Sequence, residues 1–359
     1  MSQLPFVHLL ICCVVCRACF AQFGYFFTHH CQPSLYNFNE RQADDVWYMD
    51  KLSTWENTCR FGGQHPLLMV NVLLFLFLDV QFWLASLLQD STWLIDPMWT
   101  IIPLLQGAFY WTHPFANGNS TRSVLVLAVL CVWSARLTHS YFRREHWTFG
   151  AREDWRFLEL RKQYPRTWWW SQFFLAYVSQ HVFLFGISAP LYAAFADPTP
   201  RSVGIVDLLC LAVSVFGIAL AAHSDSVLRR FMQRNEQREA AGEPKVQLLL
   251  EGPWRFSRHP NYVGEQLMWW GLGLLAWYQG HAWMLAGAFL NSVCLAVATQ
   301  MVEERMTKAA HRSEAYKHYQ KTVDCWIPFS NAKDATMAVV GFLKGAVAPA
   351  GAAAASHRE

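Results

Sequence analysis

Charge is what this sequence has least of. Only 15% of its 359 residues are charged, where soluble chains usually carry about a quarter. So little charge cannot clothe a soluble body of this length. Motifs are missing too. No G-x-G-x-x-G follows a strand, and neither a P-loop nor H-E-x-x-H occurs, which excludes the usual soluble nucleotide folds and zinc-protease chemistry. The fourteen His do not form the boxes of a di-iron membrane oxidase, and His29-His30-Cys31 stands alone as a loop rather than a metal site. The ten Cys form no framework. Cys12, Cys13, Cys16 and Cys19 share one apolar run at spacings that build no iron–sulfur set, and read as small buried residues. Cys31 and Cys59 can pair if their loop faces an oxidising lumen. No metal is expected.

Hydrophobic residues make up 53% of the chain and aromatics 16%. Apolar segments fall near 5–27, 66–89, 92–112, 121–139, 168–195, 203–223, 261–278 and 281–301, several of them near the roughly 20 residues that cross a bilayer as a helix. The expectation is an all-α, polytopic membrane protein with seven or eight transmembrane helices. The lower count applies if 5–27 is a cleaved signal, although no basic region precedes it. Of the 29 Lys and Arg, 7 lie in 142–166, 7 in 225–260 and 8 in 302–359. With eight spans these stretches share one face, which the positive-inside rule makes cytoplasmic, or stromal or matrix in an organelle. The sequon Asn119-Ser120-Thr121 falls on the other face but abuts the membrane, which argues against its use. Three regions are expected: 1–65, an apolar segment with a non-cytoplasmic loop; 66–330, the multi-pass domain; and 331–359, a disordered Ala-rich tail.

Polar chemistry gathers where the basic stretches meet the spans. In 133–166, Arg136, His139, Arg143 and Arg144 sit at helical spacings. Snorkelling to lipid phosphates accounts for Arg143 and Arg144 but less well for Arg136, three residues after Trp133. Glu153 and Asp154 beside Arg152 and Arg156 read as a salt-bridged surface. In 221–262, Asp225 and Arg229 stand four apart and share a helix face. The connection with Gly242 and Pro244 suits a lid. In "FSRHPNYVGEQLMWWGLG", Pro260 is suited to a first helical turn and Ser257 to capping. A helix beginning near 258–260 offers its N-terminus to an anion, with Arg258 and His259 as donors. Asn261, Glu265 and Trp269 recur at four-residue steps, and Glu265 should face a polar cavity. Glu303, Glu304 and Arg305 mark the exit of the final span. Tyr316, Tyr319, Val323 and Trp326 form a stripe that suits a surface helix and can also close the mouth of a site. Asp79, within an apolar run, and Asp96, near the interface, are the candidate proton donors. The simplest alternative for Asp79 is an interhelical hydrogen bond, for instance with Gln81.

"GPWRFSRHPNYVGE" resembles the signature of a membrane enzyme superfamily of NADPH-dependent steroid and sterol reductases, with methyltransferases acting on isoprenylated cysteine and phospholipids. "AHSDSVLRRF" is similar to the steroid-reductase stretch N-x-H-S-D-x-x-L-R. "EAYKHYQKTVDCWIPF" matches the family's ending, a Tyr nine residues before a Pro. "WSARLTHSYFRREHW", "GAREDWRF" and "TWLIDPMWTIIP" look like a steroid 5-alpha-reductase-related group of plants and bacteria. The resemblance runs from about 90 to 329. It implies an NADPH pocket at the cytoplasmic-side ends of the C-terminal helices, lined by His223, Asp225, Arg229, Arg258, His259, Asn261, Tyr262, Glu265 and Tyr319, with Arg136 and Arg144 nearby. It also implies reduction of a carbon–carbon double bond in an apolar sterol- or isoprenoid-like substrate, with the endoplasmic reticulum ahead of a plastid membrane. One departure stands out: Ala221 occupies the position of the family's Asn. Adenosylmethionine-dependent methyl transfer and lipid binding without catalysis are the competing readings.

Overall fold

The computed structural model describes residues 66–112, 118–148, 150, 152–196 and 201–327. The first apolar segment with its Cys cluster, the Cys31–Cys59 pairing and the Ala-rich tail lie outside these residues. Among the described residues there are helices and no strands. In chain order they are α1 (Pro66–Leu74), α2 (Val80–Gln89), α3 (Ile95–Met98), α4 (Ile102–Thr112), α5 (Ser120–Arg144), α6 (Trp155–Gln163), α7 (Trp168–Gln172), α8 (Ser179–Ser188), α9 (Pro190–Ala196), α10 (Ile205–Ala240), α11 (Pro260–Tyr278), α12 (Leu285–Lys308) and α13 (Ser313–Thr322). Wider π-turns join α1 to α2 at Phe75–Asp79 and α7 to α8 at Phe173–Val178.

Local chemistry sets several ends. Asn119 caps α5, its side-chain oxygen accepting from the Arg122 amide at 3.0 Å, so the sequon asparagine serves as a helix cap. Asp154 caps α6 in the same way through the Arg156 amide at 2.8 Å. Asp90 ends α2 at φ 53°, and Gly242 and Gly280 turn the chain after α10 and α11 at φ 73° and 101°.

Among the described residues, three helical stretches are long and apolar enough to cross a membrane: Ser120–Arg144, Ile205–Ala240 and Ala282–Lys308. Their surfaces carry exposed apolar side chains, among them Val132, Leu209 at 59% and Phe289 at 62%. An aqueous protein rarely shows such continuous apolar faces, and lipid accounts for them. The 36 residues of α10 span roughly 54 Å, far more than the roughly 30 Å of hydrocarbon. Its apolar first half suits the bilayer, and the half from His223 onward continues as a polar helix.

The chain divides into two compact units. One holds the described chain up to Val215 with Trp269–Asn291, and the other holds Phe216–Met268 with the described chain from Ser292. In the first, α1, α2, α7 and α8 bury a core that includes Leu78, Phe82, Trp93, Tyr177 and Leu184. An ion pair is buried there as well: Arg122 Nε lies 2.6 Å from Asp207, with side-chain exposures of 1% and 0%. In the second unit, α10 and α11 approach so closely that a Cβ added to Gly264 would stand 2.4 Å from the Gly217 carbonyl and 2.6 Å from the Ala221 amide nitrogen. Small residues permit this contact, as is common between helices in membranes.

Candidate functional site

The second unit gathers nine of the residues singled out in the sequence. Gly217, Ala221, Asp225 and Arg229 follow one another at four-residue steps along α10. With Gly217 and Ala221 against Gly264, Asn261 at the start of α11 reaches Asp225: its Nδ2 donates to Asp225 Oδ1 at 3.1 Å. Asn261 Oδ1 and Arg229 Nε are buried and make no hydrogen bond among the described residues. The Arg229 guanidinium also lies 3.8 Å from Glu236. His223 and Glu265 are half-buried. Gly252, at φ 56°, brings the loop against α10, where a Cβ would stand 3.8 Å from His223 Nε2.

The expected start of α11 at Pro260 is observed, and the two residues before it are engaged within the chain. The amides of Arg258 and His259 donate to the carbonyls of Asp324 and Cys325 at 2.9 and 3.2 Å. Ser257 Oγ accepts from the His259 amide at 3.2 Å. Arg258 and His259 converge on Glu303 of α12, a residue the sequence offered only as the exit of a span. Arg258 Nε is 2.7 Å and His259 Nε2 3.1 Å from Glu303 Oε1, and Gln320 Nε2 donates to Oε2 at 2.8 Å. Arg258 Nη1 also donates to the carbonyls of Gln320, at 3.1 Å, and Val323. Burial disfavours the Arg258 charge, yet the Glu303 carboxylate beside it holds its pKa above the ordinary value. Both side chains thus act first as a clamp joining α11, α12 and α13.

Tyr319 and Tyr316 are buried on α13. The Tyr319 hydroxyl donates to the Trp254 carbonyl, and burial pushes its pKa up. Trp254 Nε1 donates to the Ser224 carbonyl at 3.0 Å, which ties the 252–257 turn to α10. Tyr262 stacks on His259, ring centroids 5.3 Å apart. The 241–251 connection is stitched back to α10: Asn235 exchanges hydrogen bonds of 3.0 and 2.8 Å with the Val246 backbone.

His259, Glu303 and Cys325 place potential ligand atoms within 4.8 Å of one another. The Arg258 guanidinium already lies against the same carboxylate oxygen, and its fixed positive charge opposes a cation there. The set is a hydrogen-bonded hub rather than a metal centre. A cavity of about 690 Å³ is lined by Thr299, Glu303, Glu304, Gln320, Cys325 and Trp326, among others. None of the residues expected to hold a cofactor lines it.

The other four candidates belong to the first unit. Arg136 is half-buried on α5. Arg144 is exposed and pairs with Glu145 at 3.0 Å. Asp96 sits on the short α3, outside the three long helices. Asp79 is buried and bonds His181, not Gln81.

Comparison with known proteins covers the same region. An uncharacterized protein of Schizosaccharomyces pombe is 28% identical over 283 residues, which cover 72% of this chain and 79% of the relative. No solved structure matches the chain. A family model described as protein of unknown function (DUF1295) matches residues 82–323, from α2 through α13 and including every candidate residue except Asp79. The chain belongs to the DUF1295 family.

Proposed function

We propose that this protein is a multi-pass membrane reductase that uses NADPH to saturate a carbon–carbon double bond in a sterol- or isoprenoid-like lipid. In this reading the composite runs α1–α2 and α7–α8, the segment 92–112 and α11 also cross the bilayer, giving seven of the seven or eight spans expected from the sequence, and the membrane is that of the endoplasmic reticulum. The observation that carries the proposal is the Asn261–Asp225 contact with its two unsatisfied neighbours, Asn261 Oδ1 and Arg229 Nε. A buried acceptor and a buried donor left unmade cost about 1–3 kcal/mol each. A ligand carrying both hydroxyl or amide donors and anionic oxygens would satisfy them together.

A nicotinamide dinucleotide has those groups, and when bound it supplies a hydride. Arg229 would meet an anionic oxygen of the ligand, Asn261 Oδ1 would accept from a ribose hydroxyl or an amide, and Glu265 would accept from a second hydroxyl. Arg258 and His259 would serve by fixing the start of α11 through Glu303. An apolar setting keeps water from intercepting the hydride.

Equilibrium binding of NADPH and of adenosylmethionine to the purified full-length protein tests the proposal. NADPH should bind, and Asn261→Ala and Glu265→Gln should each weaken it by about tenfold, roughly 1.4 kcal/mol, while the protein stays folded. Binding of adenosylmethionine without NADPH would transfer the site to methyl-transfer chemistry. Binding of neither, with retention of lipid, would make the protein a lipid binder. Unchanged NADPH affinity in both variants would remove these residues from the pocket.

A further inference from the structure

Asp79 closes the π-turn between α1 and α2, and His181 lies in α8 just beyond the second π-turn. His181 Nδ1 is 2.7 Å from Asp79 Oδ2, and its Nε2 is 2.9 Å from Asn71 Oδ1. The Asp79 and His181 side chains are 5% and 10% exposed. Asn71 Nδ2 donates to the Leu67 carbonyl at 2.7 Å, which identifies Oδ1 as the atom facing the ring. A carbonyl oxygen only accepts, so Nε2 carries a hydrogen. The Nδ1–Oδ2 bridge then holds one proton, either on the carboxyl beside a neutral ring or on the ring beside a carboxylate. Both forms are neutral overall.

Among the described residues of the helices around the pair, nothing supplies a balancing charge. Besides these two residues, the ionisable side chains of 66–89, 102–112 and 168–188 are Tyr110 and Tyr177. A net charge among such apolar helices is expensive, so the one-proton state is the resting state. Once the proton leaves, the Nδ1 lone pair faces a carboxylate.

Other buried contacts in this unit are of a different kind. Ser86–Gln172 and Trp99–Gln180 join neutral side chains. Arg122–Asp207 carries fixed charges, because a guanidinium is not deprotonated in proteins. Of these contacts, only the His–Asp bridge combines overall neutrality with a proton that can move. Both helices also widen beside it, with the Val80 amide bonding the Phe75 carbonyl and the Ser179 amide that of Phe174. The Phe75 and Phe173 rings of the two turns meet at 5.7 Å. Single π-turns are rare and concentrate at functional sites.

We propose that Asp79 and His181, oriented by Asn71, form a proton-exchange site that gives a proton to, or takes one from, a lipid-soluble molecule among these helices. In donation, the bridge proton moves to a lone pair or carbanion of the acceptor. The pair is left with one negative charge until water returns a proton. This inference does not depend on the reductase reading.

The test uses the full-length protein in lipid bilayer discs with nitrogen-labelled histidine. Infrared spectra should show a carboxyl signal at neutral pH that shifts on transfer to heavy water and is lost in Asp79→Asn. Nitrogen resonances should place one histidine in the Nε2–H form, and Asn71→Leu should introduce the other tautomer. A signal that stays unshifted in heavy water in the folded protein would mark a locked structural contact and overturn the proposal. So would a carboxyl signal unchanged in position by His181→Gln, the variant that also serves if Asp79→Asn does not fold.

Discussion

Removing Glu303 separates two roles for Arg258, as a clamp within the chain or as a grip on a ligand anion. The Arg258 and Glu303 side chains are 11% and 15% exposed, so the pair is largely desolvated. Breaking a fully buried pair by deleting one partner costs about 3–5 kcal/mol. The residual exposure and the bonds Arg258 keeps to the carbonyls of Gln320 and Val323 reduce this to about 2–4 kcal/mol for Glu303→Leu. Glu303→Gln keeps the size and one acceptor, and should lose about 1–2 kcal/mol with the charge-assisted character of the bonds. At a few degrees per kcal/mol for a chain of this size, thermal unfolding followed by tryptophan fluorescence in detergent resolves both. Arg258→Met combined with Glu303→Leu should cost less than the sum of the two, because each single variant leaves a charge stranded. Strict additivity, or a Glu303→Leu variant within about 0.5 kcal/mol of the parent, would refute the clamp. A rise in NADPH affinity at unchanged stability in Glu303→Leu would show that the carboxylate competes with a ligand for Arg258.

The α10–α11 contact should tolerate no added atoms. Gly264→Ala and Ala221→Asn are expected to destabilise by about 1–3 kcal/mol through overpacking, read as a lower unfolding temperature.

Some of this was legible because it is local. Pro260 with Ser257 upstream announces a helix start, and the rises in charge after 142, 225 and 302 mark the ends of Ser120–Arg144, the apolar half of α10 and Ala282–Lys308. The Glu303 hub was not legible. Its partners, Arg258 and His259, are more than forty residues away, and no spacing rule links them. His181 was hidden likewise, as one histidine in an apolar run whose partner lies about a hundred residues earlier. The π-turns left no trace, because a uniformly apolar stretch has no polar face to reveal where the helical period slips. The expected 203–223 segment ended where the apolar residues end, but a hydrogen-bonded helix does not stop at a change of polarity. Helix α10 runs on to Ala240.

Ala221 shows how packing and site are linked. Where the resembling reductases carry an asparagine, an amide here would enter the space held by Gly264. The small side chain gives up a polar contact in exchange for close approach of two helices. That approach lets Asn261 reach Asp225, one turn beyond Ala221 on the same face of α10. The amide missing from α10 is thus matched by one arriving from α11, whose buried carbonyl oxygen makes no bond among the described residues. Restoring the asparagine at 221 should not add a ligand contact. It should push α11 away and break the hydrogen bond from Asn261 to Asp225.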